Sequence, residues 1–410
     1  MNIWIFNHYA VGSNSSGFTR HYDFAKQLIK KGIKVTIFAA SFNYQTKKEK
    51  ILYDKSWYKI ENVNGVRFVW IKTLPYTKNN YKRVINMFEY SIKAYFLKNK
   101  LKDTPTHVIG SLMHPFAAIT GALVSKKKKA KFLFEERDLW PQSMIDLGGA
   151  SEKGLKVKIL RKIENWLINS SDYIILLFDK AKKYMLEKGV LNERIIVLSN
   201  GVDLENFNNN ISNQLPDYIR HVLDLHKGKL LVVYTGAHGM ANNLDLILDA
   251  AKEISQESIH FILLGDGVHK ENLKRRKENE GITNVTFLDS IEKELIPPFL
   301  KQVHVGLLPL HNSPVFNWGI SPNKMYDYMA AKLPVLIITD IEKDALNKSN
   351  PSILINENQK ENLIKELLIL NADRTRIDNL GKKGYEYVNT ECSWEYLANE
   401  FFHKISKDNY

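Results

Sequence analysis

A chain of 410 residues with 44% hydrophobic and 25% charged side chains has material for two cores, which excludes wholesale disorder, a collagen-like rod and a small disulfide-stapled module. Cys392 is the sole cysteine, so an intrachain disulfide or cysteine-rich metal cage is excluded and a reducing compartment is expected. The net charge of +13 is unevenly spread: residues 1–200 carry 35 Lys and Arg against 16 Asp and Glu, whereas residues 201–410 carry 23 against 29.

A basic first half suits an anionic membrane surface, a phosphate-bearing acceptor or nucleic acid, with a plain solvated basic surface as the bland alternative. No apolar run approaches the roughly 18 residues that span a bilayer. The opening residues, Met1 to Asn7, lack a basic leader and read as a buried strand.

From that strand onward, short apolar runs alternate with helical patterns, which predicts parallel sheets covered by helices on both faces. The first-half strands fall at Asn2 to Asn7, Val35 to Ala40, Val66 to Ile71, His107 to Ser111, Phe132 to Glu135, Tyr173 to Leu177 and Ile195 to Leu198. A helix is expected over Phe18 to Lys31, stopped by Gly32. Between Tyr81 and Lys102, apolar and basic residues interleave. The pattern fits a helix lying on a bilayer with lysines toward headgroups, or an ordinary core-facing helix. After a polar stretch at Glu205 to Asn210 the rhythm restarts, with strands at Leu230 to Tyr234, His260 to Leu264, Val285 to Leu288, Val303 to Leu307, Val335 to Ile338 and Ile353 to Ile355. Two doubly wound units in tandem follow, with ligands expected beyond the carboxyl ends of their strands. The boundaries are placed at residues 1–203 and 204–392, with a C-terminal helix over 393–410 returning to the first unit.

The most informative segment is Gly319 to Ala331. Ser321 is a good N-cap residue and Pro322 suits the first helical position. Lys324 then occupies the first turn, where its charge opposes the helix dipole unless an anion binds, so backbone amides, dipole and lysine together describe a phosphate site. Asp327 lies one turn on, placed for a ribose diol. The alternative is a Lys324–Asp327 surface pair. Gly12 to Gly17, Gly236 after one strand, and Gly265-Asp266-Gly267 after another repeat a strand-then-glycine design that lets backbone approach a ligand, or simply make loops. In Glu135 to Pro141, Asp138 is placed to orient or deprotonate an acceptor hydroxyl and Arg137 to hold a phosphate, the alternative being an internal ion pair. His114 follows another strand. No zinc-hydrolase or serine-esterase motif is found.

Several of these stretches together carry a family likeness: Asn7-His-Tyr9 with Gly17-Phe-Thr-Arg-His-Tyr22, Arg137-Asp-Leu-Trp-Pro141, Ser199-Asn-Gly-Val-Asp203, Tyr234-Thr-Gly-Ala-His-Gly239, Leu264-Gly-Asp-Gly267 and Ser321 to Ala331. Over nearly its whole length the chain resembles the retaining glycosyltransferases of family 4, closest to the branch that adds N-acetylfucosamine and other amino-deoxy sugars in O-antigen and capsule assembly. The resemblance implies the GT-B architecture, two facing Rossmann-like α/β domains with the substrate in the cleft between them. It implies a UDP-sugar held by the second domain through Gly236, His238, Gly239, Gly265, Asp266, Ser321, Asn323, Lys324 and Asp327, with Gly17 and Phe18 closing over the phosphates. Arg137, Asp138 and His114 would face the transferred sugar and acceptor.

The basic first half adds the expectation of a polyprenyl-diphosphate-linked saccharide acceptor at the inner face of the cell membrane, with peripheral contact to anionic lipid. Neither a metal, a further cofactor nor a nucleic-acid partner is expected. In one place the chain departs from the pattern: the first of the family's two glutamates falls on Gly319, and His238, Gly239, Asn242 or a backbone group would have to substitute. The alternatives are a UDP-sugar epimerase of the same build and a non-catalytic basic binding protein.

Overall fold

The computed structural model describes the chain except residues 13–18, 79, 148, 210–214, 240–241, 347–348, 358 and 407–410. It divides into two compact units, Met1–Ser199 with Leu397–Tyr410, and Asn200–Tyr396.

The first unit is built on an eight-stranded sheet of β1 (Asn2–Phe6), β2 (Lys34–Ala40), β3 (Tyr58–Val63), β4 (Val66–Ile71), β5 (His107–Ser111), β6 (Lys131–Glu136), β7 (Tyr173–Leu176) and β8 (Ile195–Val197), in the order 3-4-2-1-5-6-7-8. All neighbours are parallel except β3, which pairs antiparallel with β4 at the edge. The second unit holds a six-stranded parallel sheet of β9 (Leu230–Thr235), β10 (Ile259–Leu264), β11 (Val285–Leu288), β12 (Val305–Pro309), β13 (Val335–Ile338) and β14 (Ile353–Ile355), in the order 11-10-9-12-13-14. The central strands are buried along their whole length, as continuous runs of Val, Ile, Leu and Phe require when helices cover both faces.

Two sequence expectations change. The β3 strand, Tyr-Lys-Ile-Glu-Asn-Val, was not anticipated because its residues are exposed or half-buried and too polar to read as a core strand. The expected strand at Val303 to Leu307 lies two residues later, ending on Pro309.

Three helices of the first unit matter below: α1 (Arg20–Lys30), α2 (Tyr81–Leu97) and α3 (Pro115–Lys128). The C-terminal helix, Trp394–Ser406, crosses from one unit to the other, and its Phe401 ring meets Phe24 of α1 edge-on, with centroids 5.0 Å apart. Strand order reverses between β1 and β5 in one sheet and between β9 and β12 in the other. Crevices at such switch points receive ligands in open α/β sheets.

Candidate functional site

At the switch point of the second unit, β9 runs into Gly236 and β10 into Gly265. The two turns are packed back to back: a Cβ on Gly265 would lie 1.9 Å from the Gly236 carbonyl oxygen, and one on Gly267 would lie 2.3 Å from that of His238. Gly236 N donates to the Leu264 carbonyl at 2.9 Å, and His238 N to that of Asp266 at 2.9 Å. Both Gly236 (φ 133°) and Gly265 (φ 145°) have backbone conformations that favour glycine.

Opposite these turns begins the Asn323–Ala330 helix. Its Tyr328 lies against Gly306 of β12, where a Cβ would be 2.3 Å from the ring. The Tyr328 hydroxyl accepts the Thr235 backbone N–H at 2.8 Å, so the helix is tied to the end of β9. One turn earlier, the ammonium of Lys324 sits 4.0 Å from the centre of the Tyr234 ring, against the face of the Gly236 turn. Loss of hydration pushes the Lys324 pKa down to about 7. Among the described residues no carboxylate forms a salt bridge with it; its partner is the π face of Tyr234.

Ser321 does not cap this helix. The N-cap is Pro322, with no side-chain cap bond, because the Ser321 hydroxyl is engaged elsewhere: it accepts the Asn200 backbone N–H at 2.9 Å and shares a hydrogen bond with the Tyr326 hydroxyl at 2.8 Å. The N-cap position thus offers the first turn no side-chain acceptor. Asn323 is exposed at the helix start, and Asp327 is half-buried one turn beyond Lys324. Gly319 has φ 123°, a conformation in which a glutamate would be strained; the departure from the family's pattern is therefore matched by the local backbone.

The remaining residues around the turns divide in two. Asp266 is committed to a clamp: it accepts from Ser290 Oγ at 2.6 Å and from Lys270 Nζ at 3.0 Å, and these bonds, the serine first, hold its pKa at about 2. His238 is fully buried, and among the described residues neither ring nitrogen has a hydrogen-bond partner. Burial, with help from nearby Lys270, lowers its pKa to about 4, so the ring is neutral. Its side chain lies between Tyr234 and Phe287, with ring centroids at 5.9 and 6.0 Å. Gly239 is half-buried beside it.

The first unit's switch point is built from paired charges. Glu135, at the end of β6, accepts from Arg20 Nε at 3.0 Å and bonds His21 Nε2 at 2.8 Å, all three side chains being buried. Although burial alone would raise its pKa, His21 and Arg20 bring it well below the usual carboxylate range. Arg20 also donates to the carbonyls of Leu198 and Ser199, at 2.7 and 2.6 Å. The adjacent Glu136 points to the other side of the strand. There burial and the neighbouring Glu164 raise its pKa well above normal.

Arg137 is buried next to this network, and Asp138 is exposed at the start of the following turn. His114 caps α3, 5% exposed, with Nε2 2.7 Å from His8 Nδ1. Burial, followed by the charge of Arg83, lowers its pKa to about 3, leaving it neutral. Gly17 and Phe18 lie outside the described residues.

Sequence reasoning gave no role to Tyr328, Tyr234, Arg20, His21 or Glu135. Arg20 and His21 stand inside the motif Gly17 to Tyr22 and Tyr328 inside Ser321 to Ala331, but the bonds to Thr235, Glu135 and Ser199 that place them reach 93 to 179 residues along the chain. No group of three or more His, Cys, Asp or Glu is arranged to hold a metal ion among the described residues, and no described helix is long and apolar enough to cross a membrane.

Comparison with known proteins places both units. The family model Glycosyltransferase Family 4 matches residues 18–206, and that of Glycosyl transferases group 1 matches residues 229–373. A protein of Escherichia coli, WcaI, assigned as a colanic acid biosynthesis glycosyl transferase, is 24% identical over 251 residues, which span 60% of this chain and 61% of that protein. In structure, the chain is similar to sucrose-phosphate synthase from Thermosynechococcus elongatus (TM-score 0.73, 16% identity, covering 100% of this chain and 99% of the other). It is also similar to Anabaena HepE in complex with UDP and glucose (TM-score 0.67, 11% identity, 99% and 100%). At these identities the structural likeness establishes the fold, which is GT-B.

Proposed function

Given that the chain belongs to glycosyltransferase family 4, we propose that it transfers a sugar from a UDP-linked donor to a lipid-linked saccharide acceptor, with retention of configuration, in the assembly of a cell-surface polysaccharide. The transferred sugar in this reading is an N-acetylated amino-deoxy hexose. The observation that carries the proposal is Lys324: a half-buried ammonium in the first turn of a helix, facing a glycine turn, with an aromatic ring as its partner. Such a group gains most from an anion that supplies the missing counter-charge, and the diphosphate of a nucleotide sugar does so.

In the reaction, the acceptor hydroxyl attacks the anomeric carbon on the face from which the diphosphate leaves. A bond from that oxygen to carbon forms, the bond from carbon to the diphosphate oxygen breaks, and the hydroxyl proton passes to the departing diphosphate. Lys324 and the first-turn amides of its helix stabilise the charge that develops on the leaving group. Asp327 holds the ribose diol. Arg137, Asp138 and the neutral His114 serve the acceptor side, and no metal is required in this scheme. The support for a UDP donor lies in the neighbours described as UDP complexes; the colanic acid assignment of WcaI supports the polysaccharide context.

The test is release of UDP from a panel of UDP-sugars in the presence of lipid-linked acceptors, with mass spectrometry of the product. A Lys324→Ala variant that folds normally and turns over as fast as the wild type would refute the site. UDP-sugar interconversion without an acceptor would replace the transferase reading by an epimerase.

A further inference from the structure

We propose that the outward face of α2 is a docking surface that seats the first unit on an anionic bilayer. Tyr81, Ile85, Phe88, Ile92 and Phe96 follow one another at steps of three and four, so they form a single stripe. They are 68%, 46%, 54%, 43% and 58% exposed. The buried face of the same helix consists of Asn86, Tyr90, Ser91, Ala94 and Leu97. Phenylalanine and isoleucine thus face outward although Tyr90, Ala94 and Leu97 already supply the core contact, so the helix carries large apolar side chains on both faces, unlike a helix whose outer face meets water. The core-facing reading of this segment holds for Tyr90, Ala94 and Leu97, which join the core, and it leaves the exposed stripe unexplained.

The apolar surface continues onto α3. Phe88 and Phe116 have ring centroids 5.8 Å apart, and Leu123 is 42% exposed. Both helices lead into parallel strands of one sheet and run in the same direction, which brings their C-terminal ends to one edge of the helical layer. There Lys100, Lys102, Lys126, Lys127 and Lys129 are all exposed. An apolar stripe bounded by lysines matches the interface of an anionic bilayer, with side chains at the level of the acyl boundary and ammonium groups among the headgroups.

Charge decides between a bilayer and a second copy of the chain. The first half carries 35 Lys and Arg against 16 Asp and Glu. Bringing two such surfaces together sets like charges against each other, whereas anionic lipid attracts both. This inference stands on the surface alone and does not require the sugar-transfer reading.

The experiment is flotation of the full chain with phosphatidylcholine vesicles, with and without phosphatidylglycerol, in the absence of donor and acceptor. Wild type is expected to float with the anionic vesicles. A Phe88→Gln, Ile92→Gln, Phe96→Gln variant, changed only at exposed positions, is expected to partition roughly tenfold less or weaker still, with an unchanged circular dichroism spectrum. Ile92→Trp is expected to show a blue-shifted indole emission on anionic vesicles. Three results would overturn the proposal: the glutamine variant floating like wild type, no blue shift while binding persists, or a wild type that ignores vesicles but self-associates through this face and becomes monomeric in the glutamine variant. Because no sugar nucleotide is present, a missing transferase activity leaves the outcome unaffected.

Discussion

Both switch points carry basic groups at the start of a helix, but the two units satisfy them differently. In the first unit Arg20 and His21 close on Glu135, and the charges largely cancel inside the protein. In the second, Lys324 has the ring of Tyr234 and no described salt bridge. An internally neutralised rim supports its own fold, whereas a rim with an uncompensated cation is poised for an anion from outside. The difference separates residues whose loss should unfold the protein from residues whose loss should silence it.

The largest effect is expected on the neutralised side. Arg20→Met leaves Glu135 buried with a partner removed and should destabilise the first unit by about 3–5 kcal/mol, read from urea unfolding followed by tryptophan fluorescence. On the other side, Lys324→Met should lower kcat/KM by about 10²–10³, the equivalent of roughly 2.7–4 kcal/mol of leaving-group stabilisation. Its unfolding midpoint should stay level or rise. If Lys324→Met unfolds the protein while Arg20→Met merely slows it, the contrast between the rims is wrong.

Next in size, Gly319→Glu should cost about 1–3 kcal/mol through its left-handed backbone, with no gain in turnover; thermal unfolding and steady-state rates check both halves. Tyr328→Phe removes the acceptor of the Thr235 N–H and should cost about 1–3 kcal/mol, measured the same way.

The pH response sharpens the contrast further. Lys324 has a folded pKa of about 7 against an ordinary 10.5, so between these values the unfolded chain holds a proton that the folded chain has lost. Its contribution to stability is therefore greatest above the ordinary lysine value and declines as pH falls toward 7. Binding of the donor's diphosphate runs the other way, favouring the protonated lysine. UDP affinity should weaken as pH rises above about 7 by at most a factor of ~10 per pH unit. Titration calorimetry in buffers of different ionisation enthalpy should show proton uptake, which Lys324→Arg should abolish.

How much of this was legible in the sequence depended on the range of the interaction. Continuous runs such as Leu230 to Thr235 declare buried parallel strands, and Lys324 drew notice because a cation in a first helical turn is locally unfavourable. The Ser321 hydroxyl was misassigned as a cap because its partners are Asn200, 121 residues away, and Tyr326; local pattern favoured the nearer use. The Arg20–Glu135 bond joins residues 115 apart, and neither residue type announces it. In α2 the periodicity was readable, but which face meets the sheet was not, since that depends on the space available above β2 and β4. Tyr90 fills that space, donating its hydroxyl to the Phe38 carbonyl at 2.7 Å.

The chain passes from the first unit to the second after Ser199 and returns after Tyr396, finishing with Phe401 against Phe24. A gene fragment ending at Ser199 would thus encode a domain stripped of its own last helix, with Phe24 laid bare to water. To obtain that domain alone, the tail from Leu397 onward must be grafted back, by a short linker or by co-expression as a separate peptide.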